Sequence, residues 1–174
     1  MKSLLKKLLI FLALFLLVII TVGFFIPQQL IIPVKGATRN DWNKTSFWHS
    51  PWGKSGVHKG IDIFAEEGRE VISASPALVI YTGNREMGGN VVVALGPKWR
   101  FHYYAHLKEI KVNKGDLVSR GEVVGLVGTT GNAVGKPPHL HYTIASLFPL
   151  FWRADSSMQG SKKMFFLNPD EYLP

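Results

Sequence analysis

Two short stretches, His58-Lys59-Gly60-Ile61-Asp62 and His139-Leu140-His141, carry residue types that hold a divalent cation and do chemistry beside it. Neutral imidazole nitrogens and a carboxylate oxygen suit a borderline ion such as zinc, and three protein ligands leave a position open for water. Spacing matters as much as identity. His139 and His141 are two apart, which on a strand puts both on one face about 6.6 Å apart. One can hold a metal while the other stands toward whatever the metal activates. His58 and Asp62 are four apart, roughly 13 Å on a straight strand against metal bonds of about 2 Å. A helix would close that gap, but Gly60 and the β-branched Ile61 and Ile63 oppose one. The chain is therefore expected to bend at Gly60, as glycine allows.

Between these stretches lies Tyr103-Tyr104-Ala105-His106-Leu107. H-x-x-x-D, then Y-A-H-L, then H-L-H, in that order within glycine-rich β sequence, resembles the lysostaphin-type (LytM-domain) zinc endopeptidases that cut peptidoglycan cross-bridges. The likeness runs from about Ser50 to Ser146 and resumes at Asn168-Pro169-Asp170-Glu171-Tyr172-Leu173. It implies one Zn2+ ion held by His58, Asp62 and His141. It also implies that His106 and His139 form the catalytic pair that orients water and stabilises the oxyanion. No H-E-x-x-H occurs, so the glutamate base of many metalloproteases is missing and an imidazole must move the proton. Two further histidines, His49 and His102, read as surface or satisfied core residues. A regular strand would set His102 on the same face as His106, roughly 13 Å away.

Loops must carry the substrate past these groups. Gly128-Thr129-Thr130-Gly131-Asn132 and Gly135-Lys136-Pro137-Pro138 lead directly into H-L-H and are expected to wall a substrate groove, with Gly88-Gly89-Asn90 beside them. Trp52, Asn90, Tyr104, Thr129 and Asn132 are the residues expected to touch substrate. For Trp52, simple core packing is the reading preferred over a place on the groove wall. The approach to His58 is compact, Ser50 to Val57, where the family often has a longer segment with a tyrosine; Trp52 has no hydroxyl to offer an oxyanion.

The rest of the chain reads as β sequence. Glu70–Ala74, Ala77–Thr82, Asn90–Ala94, Phe101–Leu107, Val123–Val127 and Leu140–Ser146 are short and rich in Val, Ile, Tyr and Phe, with turn residues between them. An all-β, antiparallel fold follows, preceded by one N-terminal transmembrane helix. Val112 to Glu122 resembles the turn pattern of biotinyl and lipoyl carriers but lacks their Met-Lys-Met setting, and reads as scaffold.

Ahead of this domain, Lys2, Lys6 and Lys7 precede an uncharged apolar run from Leu8 to Ile26. As a helix it spans about 28 Å, close to the hydrocarbon thickness. The run is longer than a signal-peptide core and has no A-x-A site, so an uncleaved anchor is expected. Its basic start stays in the cytoplasm and the remainder lies outside, on the periplasmic or cell-wall side of the cytoplasmic membrane. The expected organisation is a cytoplasmic start (1–7), anchor (8–26), stem (27–40) and peptidase domain (41–174), with core 50–146 and insertion 147–166. The apolar Leu147–Trp152 stretch of that insertion is expected to dip into the membrane interface.

Composition sets limits. There is no cysteine, hence no disulfide and no thiolate ligand or nucleophile. The formal charge is +8, and outside the first three lysines 17 basic residues face 12 acidic ones. That surplus suits anionic headgroups or wall polymers; nothing resembles a nucleic-acid module. The expected partners are peptidoglycan peptide and membrane. A non-hydrolytic LytM-type activator or a wall-binding module is the alternative to an endopeptidase.

Overall fold

In the computed structural model, which describes residues 2–174, helix α1 (Lys2–Phe25) precedes β1 (Ile61–Phe64), β2 (Glu70–Ile72), β3 (Ala77–Arg85) and β4 (Gly89–Gly96). Then follow β5 (Arg100–Leu107), β6 (Glu109–Ile110), β7 (Leu117–Val118), β8 (Val123–Leu126), β9 (His139–Ser146) and β10 (Phe166–Leu167). The larger sheet has the order β1-β9-β5-β4-β3-β7, with β10 also on β9; a smaller one runs β2-β8-β6, and the pairings are antiparallel. The antiparallel β-fold read from the sequence is what the chain forms.

Strand β9 shows how local alternation becomes architecture. Leu140, Tyr142 and Ile144 are fully buried in the core, while His139, His141, Thr143 and Ala145 line a cleft on the other face. Successive side chains on a strand point to opposite faces, so one apolar-polar pattern builds both the core and the site floor.

Strand β5 breaks this rule at one residue. Val92 of β4 pairs with Tyr104, but Asn90 pairs with Leu107, so β5 carries one extra residue over that interval. The bulge is at His106, whose φ is 63°. A bulge of this kind reverses the alternation beyond it. Tyr103, Ala105 and His106 therefore all line the cleft, whereas Tyr104 and Leu107 are fully buried. The regular-strand expectation that His102 shares a face with His106 does not hold for this reason.

His102 lies in the core instead. Its Nδ1 is 2.6 Å from Tyr142 Oη, and its Nε2 is 3.2 Å from Ser75 Oγ and 3.1 Å from Gln28 Nε2. Burial, helped by the Arg100 charge, pushes its pKa down to about 3. Because the folded value lies below the ordinary one near 6.5, the unfolded chain binds more protons in between. Stability is then full above the ordinary value and is lost as pH falls. The expected loss from this residue is roughly 4 kcal/mol between about pH 7 and about pH 3.5. Urea melts across that range should show a shallower pH dependence in His102→Gln; equal slopes in the two proteins would refute it.

The residues expected as a stem run along the domain. Ile31 N–H donates to Ala74 O (3.1 Å), Lys35 N–H to Glu70 O (3.0 Å) and Ile72 N–H to Pro33 O (3.0 Å). Val34 is buried in the core. Further on, Arg39 bonds the carbonyls of Leu173 and Asp170, and Trp42 Nε1 donates to Asp170 Oδ1. The segment satisfies the open edge of β2, which would otherwise leave strand donors and acceptors bare.

Candidate metal centre

Pairing of β1 with β9 sets Asp62 opposite His141. The bend at Gly60 then returns His58 to the same point, as expected, though the demand on glycine is steric. A β-carbon at Gly60 would stand 2.3 Å from Tyr142 O and 2.6 Å from Thr143 Oγ1. Gly60→Ala must push β1 off β9, costing roughly 1–3 kcal/mol and weakening metal affinity. Denaturant midpoints and competitive chelator titration check this; an alanine variant as stable and as tight-binding as the parent would rule it out.

His58 Nε2, Asp62 Oδ1 and His141 Nδ1 converge. The pair distances are 3.1 Å for His58–Asp62, 3.1 Å for His58–His141 and 2.8 Å for His141–Asp62. Ligands on tetrahedral zinc with bonds of about 2.0–2.1 Å are roughly 3.3 Å apart, so the trio fits one such ion with a slight opening. The outer nitrogens fit as well. His58 Nδ1–H donates to Ser46 O (3.1 Å), which leaves Nε2 bare in the neutral ring, and His141 Nε2 lies 3.1 Å from Thr143 Oγ1. Metal-binding histidines are usually fixed in this way.

Charge follows the same plan. Burial would raise the Asp62 carboxyl, but the hydrogen-bonding imidazoles of His141 and His58 outweigh it and hold it well below the usual carboxylate range. Burial lowers His141, with Asp62 acting the other way.

His106 and His139 stand next to the trio. Their ring centroids are 5.0 Å apart, His106 is 5.9 Å from His141, and His139 Nε2 is 4.0 Å from Asp62 Oδ1. Each is held by a backbone carbonyl. His139 Nδ1–H donates to Pro137 O (2.8 Å) and His106 Nδ1–H to Thr130 O (2.9 Å). Both Nε2 atoms are therefore free to take a proton. Burial, followed by the charges of His141 and His139, brings His106 down to about 4, so its ring is neutral near neutral pH.

A cleft of about 700 Å³ encloses the centre. Trp52 lines it, stacked on His58 with centroids 4.0 Å apart and planes 20° from parallel; it is a wall and not core packing. Asn132 lines it too. Tyr104 does not: it is fully buried, its Oη accepting from Ala74 N–H. The bulge gives the cleft position to Tyr103, which the sequence reading passed over. Asn90 and Thr129 also stand outside the cleft lining; Asn90 is tied to Asn84 and to Lys108 O.

Thr130 is a second residue the reading missed. Its carbonyl holds His106, and its hydroxyl donates to Leu107 O and accepts from Asn90 N–H. The far part of the 147–166 insertion was also missed as a brace for the Trp52 wall. Trp48 Nε1 donates to Met158 O and Gln159 Nε2 to Ser55 O. No short-range sequence signal marks these links.

Comparison with known proteins agrees with this geometry. The profile of Peptidase family M23 matches residues 56–149, just over half the chain. The peptidoglycan DD-endopeptidase ShyA of Vibrio cholerae is 39% identical over 87 residues, covering 50% of this chain and 20% of its own. The L-Ala--D-Glu endopeptidase of Bacillus subtilis is 35% identical over 113 residues, covering 60% of this chain and 35% of its own. The chain thus spans about a third or less of the length of these curated relatives. Among solved structures, the catalytic domain of the antimicrobial peptidase lysostaphin from Staphylococcus simulans superposes with a TM-score of 0.59 at 25% identity. That match covers 76% of this chain and 92% of the other.

Proposed function

The chain belongs to peptidase family M23, and from that premise we propose that it is a zinc-dependent endopeptidase hydrolysing amide bonds in the peptide cross-links of peptidoglycan. The observation that carries the reading is the convergence of His58, Asp62 and His141 beside two histidines whose free nitrogens face the same cleft. When bound, zinc lowers the pKa of water and polarises a carbonyl. The chain's own residues do the rest. His139 and His106 are each fixed through Nδ1, and one of them accepts the proton of the attacking water at Nε2. That ring, once protonated, donates through Nε2 to the developing oxyanion and then hands the same proton to the leaving amine as the C–N bond breaks. Trp52 and Asn132 hold the peptide against the centre.

Helix α1 is long and apolar enough to cross a membrane, and Lys2, Lys6 and Lys7 favour a cytoplasmic start. In this reading it anchors the domain on the outer side, where the substrate is. A non-catalytic activator would have no use for fixed tautomers on both cleft histidines, so hydrolysis is the stronger reading.

The test uses the full chain in detergent, zinc-loaded, with purified sacculi of different cross-bridge chemistry. New amino groups and mass-defined soluble peptides are expected, and the masses name the bond. Stimulation of a wall amidase with no new amino groups would replace this reading by the activator one.

A further inference from the structure

The last turns of α1 pack on the domain they precede. Trp99 Nε1–H donates to Ile20 O (2.9 Å), and the indole lies over Gly23, where a β-carbon would stand 2.3 Å from Nε1. Phe24 packs on Phe148 with centroids 5.3 Å apart, and Phe148 on Trp99 at 6.5 Å. Trp99 closes the β4–β5 turn, Pro97–Trp99, and its carbonyl accepts from Leu147 N–H. The β4–β5 tip and the segment after β9 are thus clamped together on the helix.

Depth follows from the helix rise. Ile20 is six residues before Ile26, where the apolar run ends, so its carbonyl lies about 9 Å inside that end. A partner of Ile20 in a membrane-crossing helix is carried to that depth, within the roughly 5–10 Å to which an interfacial apolar face sinks at the headgroup–acyl boundary. Exposed apolar side chains follow the clamp along the chain: Phe151 and Trp152, three and four residues beyond Phe148, are 71% and 79% exposed. Leu78 and Leu117, also exposed, line a hollow with Gly23, Ile26 and Trp99. Lys98 on the turn supplies a cation for headgroup phosphate.

We propose that this end of the domain is seated in the outer phospholipid interface, with Trp99 as the clamp and Trp152 dipping into lipid. The cleft is then held at a set height. Strand β5 runs from Arg100 at the seated end to His106 at the cleft, six residues or roughly 20 Å. The endopeptidase would work on the wall layer next to the membrane. The inference rests on α1 crossing the bilayer.

Because the chain has no cysteine, single spin labels can report the seating. The full chain carrying Leu14→Cys, Val134→Cys or Trp152→Cys is reconstituted in phosphatidylethanolamine–phosphatidylglycerol vesicles. Collision with oxygen, enriched in lipid, is compared with collision with a water-soluble nickel chelate. Positions 14 and 152 should favour oxygen severalfold over position 134, which is exposed on the loop before β9. A water-like label at 152 beside a lipid-like label at 14 overturns the seating alone. A water-like label at 14 overturns the crossing beneath it. Gly23→Leu keeps the helix apolar but displaces the indole, and should lower lipid contact at 152 severalfold; unchanged contact would overturn the clamp.

Discussion

His141→Ala is expected to strip zinc from the purified chain and to cut peptidase activity by more than about 1,000-fold. The ion is worth several kcal/mol to the transition state, and about 4 kcal/mol is that factor in rate. The shortest contact of the trio is the one His141 makes to Asp62. His141 touches both other ligands, at 2.8 Å from Asp62 and 3.1 Å from His58. Its removal leaves two donors and an Asp62 carboxylate deprived of its strongest stabilising neighbour. Two remaining protein ligands are fewer than the three of catalytic zinc sites and are not expected to hold zinc against a chelator. Metal content by mass spectrometry and amino-group release from sacculi check the result. Activity at the parent level in the metal-free variant would end the metalloenzyme account.

His106→Asn separates chemistry from binding. His106 meets His141 only ring edge to ring and gives no hydrogen bond to the ligand trio, so the variant should keep its zinc while activity drops roughly 10²–10⁴-fold, the usual worth of a positioned proton carrier. Asparagine is the informative substitution because φ at this position is 63°, a left-handed conformation that Asn tolerates better than Ala. The thermal midpoint should therefore stay near the parent's. Zinc loss together with activity loss would assign His106 to metal retention; full activity would remove it from the catalytic pair.

Both outcomes depend on features of unequal legibility. The ligand types, the two-residue step from His139 to His141 and the bend at Gly60 could be read directly. Each is a local property: side-chain chemistry, strand period and the absence of a β-carbon. The cleft lining was read less well. Tyr104, two residues before His106, would share the cleft face with it only in a regular strand. The extra residue opposite Asn90–Val92 comes from how β4 and β5 register, and register is a pairing between distant segments.

By itself, then, the sequence determined the donor set, the apolar helix, and the strand alternation that puts His139 and His141 on one face of β9. Those follow from residue chemistry and periods of a few residues. Tertiary structure alone decided that His106 turns into the cleft. It also decided that Pro137 and Thr130 carbonyls choose the ring tautomers, and that residues 28–37 and Trp99 tie the helix end to the domain. Each of these depends on a backbone atom or ring brought close by folding, and no spacing along the chain encodes that proximity.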